Sequence, residues 1–432
     1  MSAEVISVLA LVLMFVVATW RDVNMGVLGF VLAALVGAGA LGMDTATYLA
    51  GFPIDLVITL LGLTFLFGFA KADGSIDVIV RWCLRAVGGH RAAAPWVFFA
   101  LTAFLIAIGA LFAVAIVAPL ALRFARTFRL NVLMTGLMVV HGALAGAFSP
   151  ISVYGLFITG FLDERGLPTA ELPVFLGSLV VNIVLALGVF LALHRRPGIV
   201  AEADAAAADG APGAPGATGD GDGDGALLLD RVTVTGRQML TVVGLAALVI
   251  GTIVFDLHIG ILGLTIGAIL AAVDPAKGKA ALGSVSWSVI VLIAGVLTYI
   301  NVLEEAGTVE WVSGGISSIG IPLLAALLLF YLSGVVSALA SSLGIIGVVL
   351  ALAVPFLEAG DVHVAGFMAG LAVAATVVDI SPFSTNGAML LANVDASIRD
   401  RFYKQMLAYA GLMVAVGPGI AWLLVAVPTW LG

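Results

Sequence analysis

Two short polar stretches, Ser149-Pro150-Ile151-Ser152-Val153-Tyr154-Gly155 and Ser381-Pro382-Phe383-Ser384-Thr385-Asn386-Gly387, interrupt long apolar runs, and their first serines stand 232 positions apart. Proline has no N–H and clashes with the carbonyl four residues back, so Pro150 and Pro382 should free the carbonyls of Gly146 and Val378 from the helix ladder. With the hydroxyls of Ser149 and Ser381, those carbonyls are candidate ligands for a coupling cation. Past each break a new helix starts, and its unpaired N–H groups favour an anion. Ser149, Ser152, Ser384, Thr385 and Asn386 are therefore candidate substrate ligands, and Gly155 and Gly387 close the two breaks. A plain proline kink, with the serines bonded back to their own helix, is the competing reading. Two copies in matched positions favour a site.

These motifs need a membrane around them. Of the 432 residues 62% are hydrophobic and only 10% are charged, with a mean hydropathy of +1.21. Such a chain has the bilayer as its solvent. The net charge of −8 is spread over loops and one segment, and nucleic acid is excluded as a partner.

A span takes about 20 apolar residues. Apolar runs near 3–20, 24–42, 54–71, 131–162 and 172–194 give five spans in the first half, and runs near 237–255, 258–273, 287–303, 363–395 and 404–427 give five in the second. Two further stretches, 95–126 and 321–358, read as re-entrant hairpins. Shifting by 233 lays Gly62 and Gly74 onto Gly295 and Gly307. The expected fold is an all-α membrane protein with an inverted-topology repeat of 5+5 transmembrane helices, each half carrying a re-entrant hairpin and a broken helix. Residues 1–195 form the first repeat, 196–236 a disordered cytoplasmic linker, and 237–432 the second repeat.

Charge placement supplies a separate argument. With both termini outside, nearly every arginine and lysine falls inside, from Arg21 and Lys71 to Lys279 and Lys404, and only Arg165 falls outside. The linker holds Gly219-Asp220-Gly221-Asp222-Gly223-Asp224-Gly225, which reads as a solvated tether rather than a calcium loop because no glutamate follows at a coordinating position. Residues 76–90 and 305–319 follow equivalent spans and read as interfacial helices or loops. An excess of arginine over lysine and abundant alanine suggest a bacterial source, hence a bacterial plasma membrane.

Ionisable groups within apolar spans are costly and therefore informative. Asp379 reads as a cation or proton ligand, or as a cap of its broken helix; His141 reads as a proton relay or as a buried histidine bonded to a neighbouring helix. The single cysteine, Cys83, reads as structural. At the second hairpin's apex Ser341 and Ser342 offer hydroxyls to a substrate, whereas Ala110-Leu111-Phe112-Ala113 at the first offers almost only backbone. No lysine or arginine occupies the expected core, so an anion would have to be held by dipoles, hydroxyls and co-bound cations.

The paired hairpins with Ser-Pro-x-Ser at 149–152 and Ser-Pro-Phe-Ser-Thr-Asn-Gly at 381–387 resemble the malonate/dicarboxylate carrier (MatC-like) family of the ion transporter superfamily. More distantly the chain is similar to divalent anion/sodium symporters. That resemblance implies Ser341 and Ser342 at the outer tip, with the two broken helices completing sodium sites around a carboxylate; the apolar inner tip departs from the pattern. The expected function is secondary active transport of a small carboxylate, a dicarboxylate such as malonate or a C4 acid, with Na+ or H+ as coupling ion and no resident cofactor. The alternatives are a large subunit served by a separate binding protein, and an intramembrane enzyme built on Asp379 or His141. A homodimer is compatible with the sequence.

Overall fold

The computed structural model describes residues 2–21, 23–86, 93–195, 234–317, 322–338, 342–358 and 362–428, all helices and connections with no strand among them. Ser341 and the linker up to residue 233 lie outside these residues. Among the described residues, six helices are long and apolar enough to cross a bilayer.

The first half begins with α1 (Ala3–Arg21) and α2 (Met25–Leu32), which runs into a π-helical stretch over Ala33–Ala40. There follow α3 (Thr45–Leu49), α4 (Ile54–Ala72), α5 (Ser75–Ala86), the pair α6 (Ala94–Ala107) and α7 (Ala113–Thr127), then α8 (Val132–Gly146), α9 (Val153–Glu164) and α10 (Glu171–Leu193). The second half runs α11 (Gly236–Phe255), α12 (Ile259–Val273), α13 (Pro275–Gly283), α14 (Trp287–Glu305) and α15 (Thr308–Ser317). It continues with the pair α16 (Pro322–Ser337) and α17 (Ser342–Glu358), then α18 (Val364–Thr376), α19 (Thr385–Ala392) and α20 (Arg399–Ala421), which ends in π-helix over Trp422–Ala426.

Of the stretches read as hairpins, 95–126 turns back through Gly109 at φ +103°, and 321–358 contains two helices, α16 and α17, packed on each other. The runs 131–162 and 363–395 each split into two helices, at residues 147–152 and 377–384. Polar starts fix the entry of several helices: Asn24 accepts from the Gly26 amide at 2.9 Å, and Asn131 from the Met134 amide at 3.0 Å. The segments read as interfacial helices or loops are helices, α5 and α15.

The glycine register has a structural counterpart. Helix α4 packs on α12 and helix α14 packs on α2, so each half lays its third long helix against the other half's second. Gly62 and Gly295 make these crossings at backbone contact. A Cβ on Gly62 would stand 2.0 Å from the Gly260 oxygen, and one on Gly295 1.8 Å from the Gly26 oxygen. Without a hydrophobic drive between helices in lipid, such close approach is what holds a bundle together. Gly74 and Gly307, the other matched pair, turn the chain after α4 and α14 with φ of +77° and +70°.

The most buried helices are the first halves of the broken pair. Every residue of α8 and every residue of α18 from Gly366 onward is buried, enclosed by α6, α7 and α10 around the first and by α10, α16 and α20 around the second. The breaks therefore lie in the protein interior, where an unwound backbone is tolerated.

Candidate functional site

Bond for bond, the two breaks are built alike. The Ser152 hydroxyl donates to the Ala147 carbonyl at 2.5 Å, lies 2.8 Å from the Ser149 carbonyl, and accepts from the Gly155 amide at 3.2 Å. Ser384 repeats this with the Asp379 carbonyl at 2.5 Å, the Ser381 carbonyl at 2.8 Å and the Gly387 amide at 3.2 Å. Both serines are extended N-caps, at φ −88°, ψ 161° and φ −82°, ψ 161°. A Cβ on Gly155 would meet the Ser149 oxygen at 2.0 Å, and one on Gly387 the Ser381 oxygen at 1.9 Å, so the tight turn requires glycine in both.

This construction corrects part of the expectation from sequence. The carbonyls of Gly146 and Val378 are not bare: they accept from the Ser149 amide at 3.2 Å and the Ser381 amide at 3.0 Å, because the chain tightens into a turn after losing the proline-displaced bond. Nor are the Ser152 and Ser384 hydroxyls free for a ligand, since each is spent closing its own break. Ser149 and Ser381 accept from the Ile151 and Phe383 amides at 3.4 and 3.3 Å.

What the breaks leave open is the start of each following helix. The Val153 and Tyr154 amides of α9, and the Thr385 and Asn386 amides of α19, have no partner among the described residues. Unpaired N–H groups at a helix start carry partial positive charge.

A cavity of about 810 Å³ lies against them. Tyr154, Thr385 and Asn386 line it from the two helix starts, Ala147, Thr376 and Phe383 from the breaks, and Leu343 from the second hairpin. Leu111 and Phe112 form an apolar wall at the tip of the first hairpin. The cavity extends to Thr19, Asn24 and Ser288, the end of the bundle where α1 stops and α14 begins. At that end Asn24 donates to the Ser288 carbonyl at 2.8 Å. Among the described residues its lining has no lysine, arginine or carboxylate.

Of the residues singled out from sequence, Thr385 and Asn386 line the cavity; Ser149, Ser152, Ser342, Ser381, Ser384, Gly146, Val378 and Asp379 are not among its lining residues. Sequence reasoning quoted Tyr154 but gave it no role. The repeat offset held the signal: 232 positions take Tyr154 onto Asn386.

Asp379 is 3% exposed and its Oδ1 lies 2.5 Å from the Ser342 hydroxyl oxygen, which ties the second break to the second hairpin. His141 is fully buried, with Nδ1 3.0 Å from the Asn182 Oδ1 and Nε2 2.7 Å from the Tyr409 hydroxyl. The second pairing matches the neighbour-bonded reading of His141. No hydrogen bond joins His141 to Asp379, so the two do not form an acid–base pair.

At the opposite end from Asn24, Arg165 donates to Glu304, pinning the end of α9 to the end of α14, and its guanidinium lies 3.8 Å above the Phe161 ring. Arg126 pairs with Asp395 at 2.6 Å. The Ser397 amide and hydroxyl, then Arg126, hold the Asp395 carboxyl down to about 2.

The profile of the dicarboxylate carrier protein MatC N-terminus matches residues 1–147. Among solved structures, the chain is similar over 100% of both chains to the YdaH transporter of Alcanivorax borkumensis, with a TM-score of 0.61 and 14% identity, a likeness of fold. No curated protein matches the chain.

Proposed function

We propose that this chain is a secondary carrier of a small carboxylate, a dicarboxylate such as malonate or a C4 acid, coupled to Na+ or H+. One observation carries the reading. Two helix starts, one from each half, present four unpaired amides beside a shared cavity that contains no fixed charge. Helix N-termini aimed at an anion from discontinuous helices are the expected form of a carboxylate site inside a bilayer. Tyr154, Thr385 and Asn386 add a hydroxyl, a second hydroxyl and an amide, enough to orient two carboxylates without a buried arginine. The match of residues 1–147 to a dicarboxylate carrier profile supports the substrate class.

The halves, 1–195 and 237–432, are inverted repeats in this account, joined by a cytoplasmic linker over 196–236. The crossed packing at Gly62 and Gly295 and the equal hydrogen bonding of the two breaks support it. Both termini lie outside a bacterial plasma membrane, so the cavity mouth at Asn24 and Ser288 faces the cytoplasm. Arg165 and Glu304 then close the outer end. Transport follows from the hairpins and broken helices moving against the crossed long helices until the mouth closes and the ion pair opens.

The test is uptake. Purified protein in liposomes should accumulate labelled malonate or a C4-dicarboxylate under an imposed sodium or proton gradient. Absence of uptake of every small organic anion tried, under both gradients, would refute the reading.

A further inference from the structure

Four oxygens form an unbranched chain through the interior: the Ala375 carbonyl, Ser337 Oγ, Ser342 Oγ and Asp379 Oδ1. Their successive separations are 2.5, 2.8 and 2.5 Å, each a hydrogen-bond contact. Each contact needs one proton. The two serines supply one apiece, which leaves the third contact without a proton as long as Asp379 is ionised. Neutral Asp379 completes the count: its O–H donates to Ser342, Ser342 donates to Ser337, and Ser337 donates to the Ala375 carbonyl.

From this count we propose that Asp379 carries the coupling proton, and that its protonation clamps the second hairpin onto the second broken helix. The inference rests on the carrier reading and names its ion. Sodium fits poorly here, since it needs several oxygens converging on one point. These oxygens pair one after another at hydrogen-bond distance, and the nearby Asp379 and Ala372 carbonyls are taken by Ser384 and Thr376 at 2.5 and 2.7 Å.

Among the described residues no basic side chain pairs with the Asp379 carboxyl. From the second hairpin Ser337 and Ser342 face Asp379, and from the first broken helix Tyr154, whose hydroxyl lies beside Ser342. No ion pair reaches Asp379 among the described residues. Both ring nitrogens of His141 are engaged by Asn182 and Tyr409.

Tyr154 also lines the cavity, as do Leu343 and Thr376, the neighbours of Ser342 and of the break. A proton therefore passes from cavity water by way of Tyr154 and Ser342 to Asp379 Oδ1. One O–H bond to water breaks and one to the carboxylate forms; the reverse transfer on the other side of the membrane releases it. Loss of the proton leaves two protons for three contacts, and the hairpin tip parts from the break to admit water to the charge.

The test has two arms. Infrared spectra of the wild type in lipid should contain the carbonyl stretch of a protonated carboxyl at neutral pH, and D379N should lack it. In proteoliposomes the wild type should accumulate labelled malonate or succinate under a proton gradient without sodium. D379N should exchange labelled for unlabelled substrate at a rate independent of pH, with its accumulation ratio fallen to one. S342A, which keeps the carboxyl, should shift the infrared band and move the pH dependence of exchange, and it serves if D379N does not fold.

The proposal is overturned if the wild type lacks the band, if the band survives in D379N, or if D379N still accumulates substrate under a proton gradient. Accumulation driven by sodium at constant pH and lost in D379N would overturn it too, by making Asp379 a sodium ligand. If the wild type moves no organic anion, the carrier reading falls and the coupling role with it. The infrared arm, which needs no substrate, then decides the protonation alone.

Discussion

Replacing Ser384 with alanine separates a cap from a ligand. In the structure its hydroxyl closes the second break, donating to the Asp379 carbonyl at 2.5 Å and accepting from the Gly387 amide at 3.2 Å. Loss of an N-cap costs about 0.5–2 kcal/mol. Leaving the buried Asp379 carbonyl unsatisfied adds about 1–3 kcal/mol. The sum is about 2–4 kcal/mol, allowing for overlap between the two terms. For a chain of this length that lowers the thermal midpoint by about 2–4 °C, taking the unfolding entropy to scale with residue number. Ser152 makes the same bonds at the same distances, so S152A should lose the same amount to within about 0.5 kcal/mol. Thermal unfolding of both variants in detergent, followed by tryptophan fluorescence, measures this. S384T, which retains a capping hydroxyl, should recover most of the loss. The reasoning is refuted if S384A unfolds like the wild type while substrate binding disappears, because the hydroxyl would then be a ligand and not a cap.

Asn386 should behave in the opposite way: N386A should weaken dicarboxylate binding about 10- to 150-fold, the worth of one hydrogen bond to a charged group, without lowering the thermal midpoint. Calorimetric titration checks it. G62A and G295A should each destabilise the protein by several degrees, since the added Cβ would overlap backbone at 2.0 and 1.8 Å, while G39A, with open space around it, should not. Asp395 is held below its ordinary 3.8, so its bonds to Ser397 and Arg126 stabilise at neutral pH and are lost only as pH falls toward about 2. The small midpoint difference between the wild type and D395N should persist down to pH 3.8 and close below it, as melting curves across that range will record.

The sequence made the positions of the breaks legible because a Ser-Pro step in a long apolar run leaves few alternatives. Gly62, Gly74, Gly295 and Gly307 were legible as a register, and the structure puts the first and third at helix crossings and the others at turns. Hydrogen-bond destinations were not. Whether Ser152 turns outward to a ligand or back to Ala147 depends on dihedral angles that residue types do not encode. Long-range partners were equally hidden: Ser342 lies 37 positions from Asp379, and Tyr409 lies 268 from His141. The π-helical stretches at 33–40 and 422–426 keep the composition of ordinary helix, so nothing in the residue pattern announces them.

A single cysteine placed in the cavity wall tests the central claim, that a carboxylate enters the space between the two helix starts. Phe383 lines that space and is 62% exposed. In a C83S background, F383C should react with a soluble maleimide, and malonate or a C4-dicarboxylate should slow the reaction in proportion to its occupancy of the site. A rate that no small carboxylate alters, at concentrations that saturate uptake, would contradict the account.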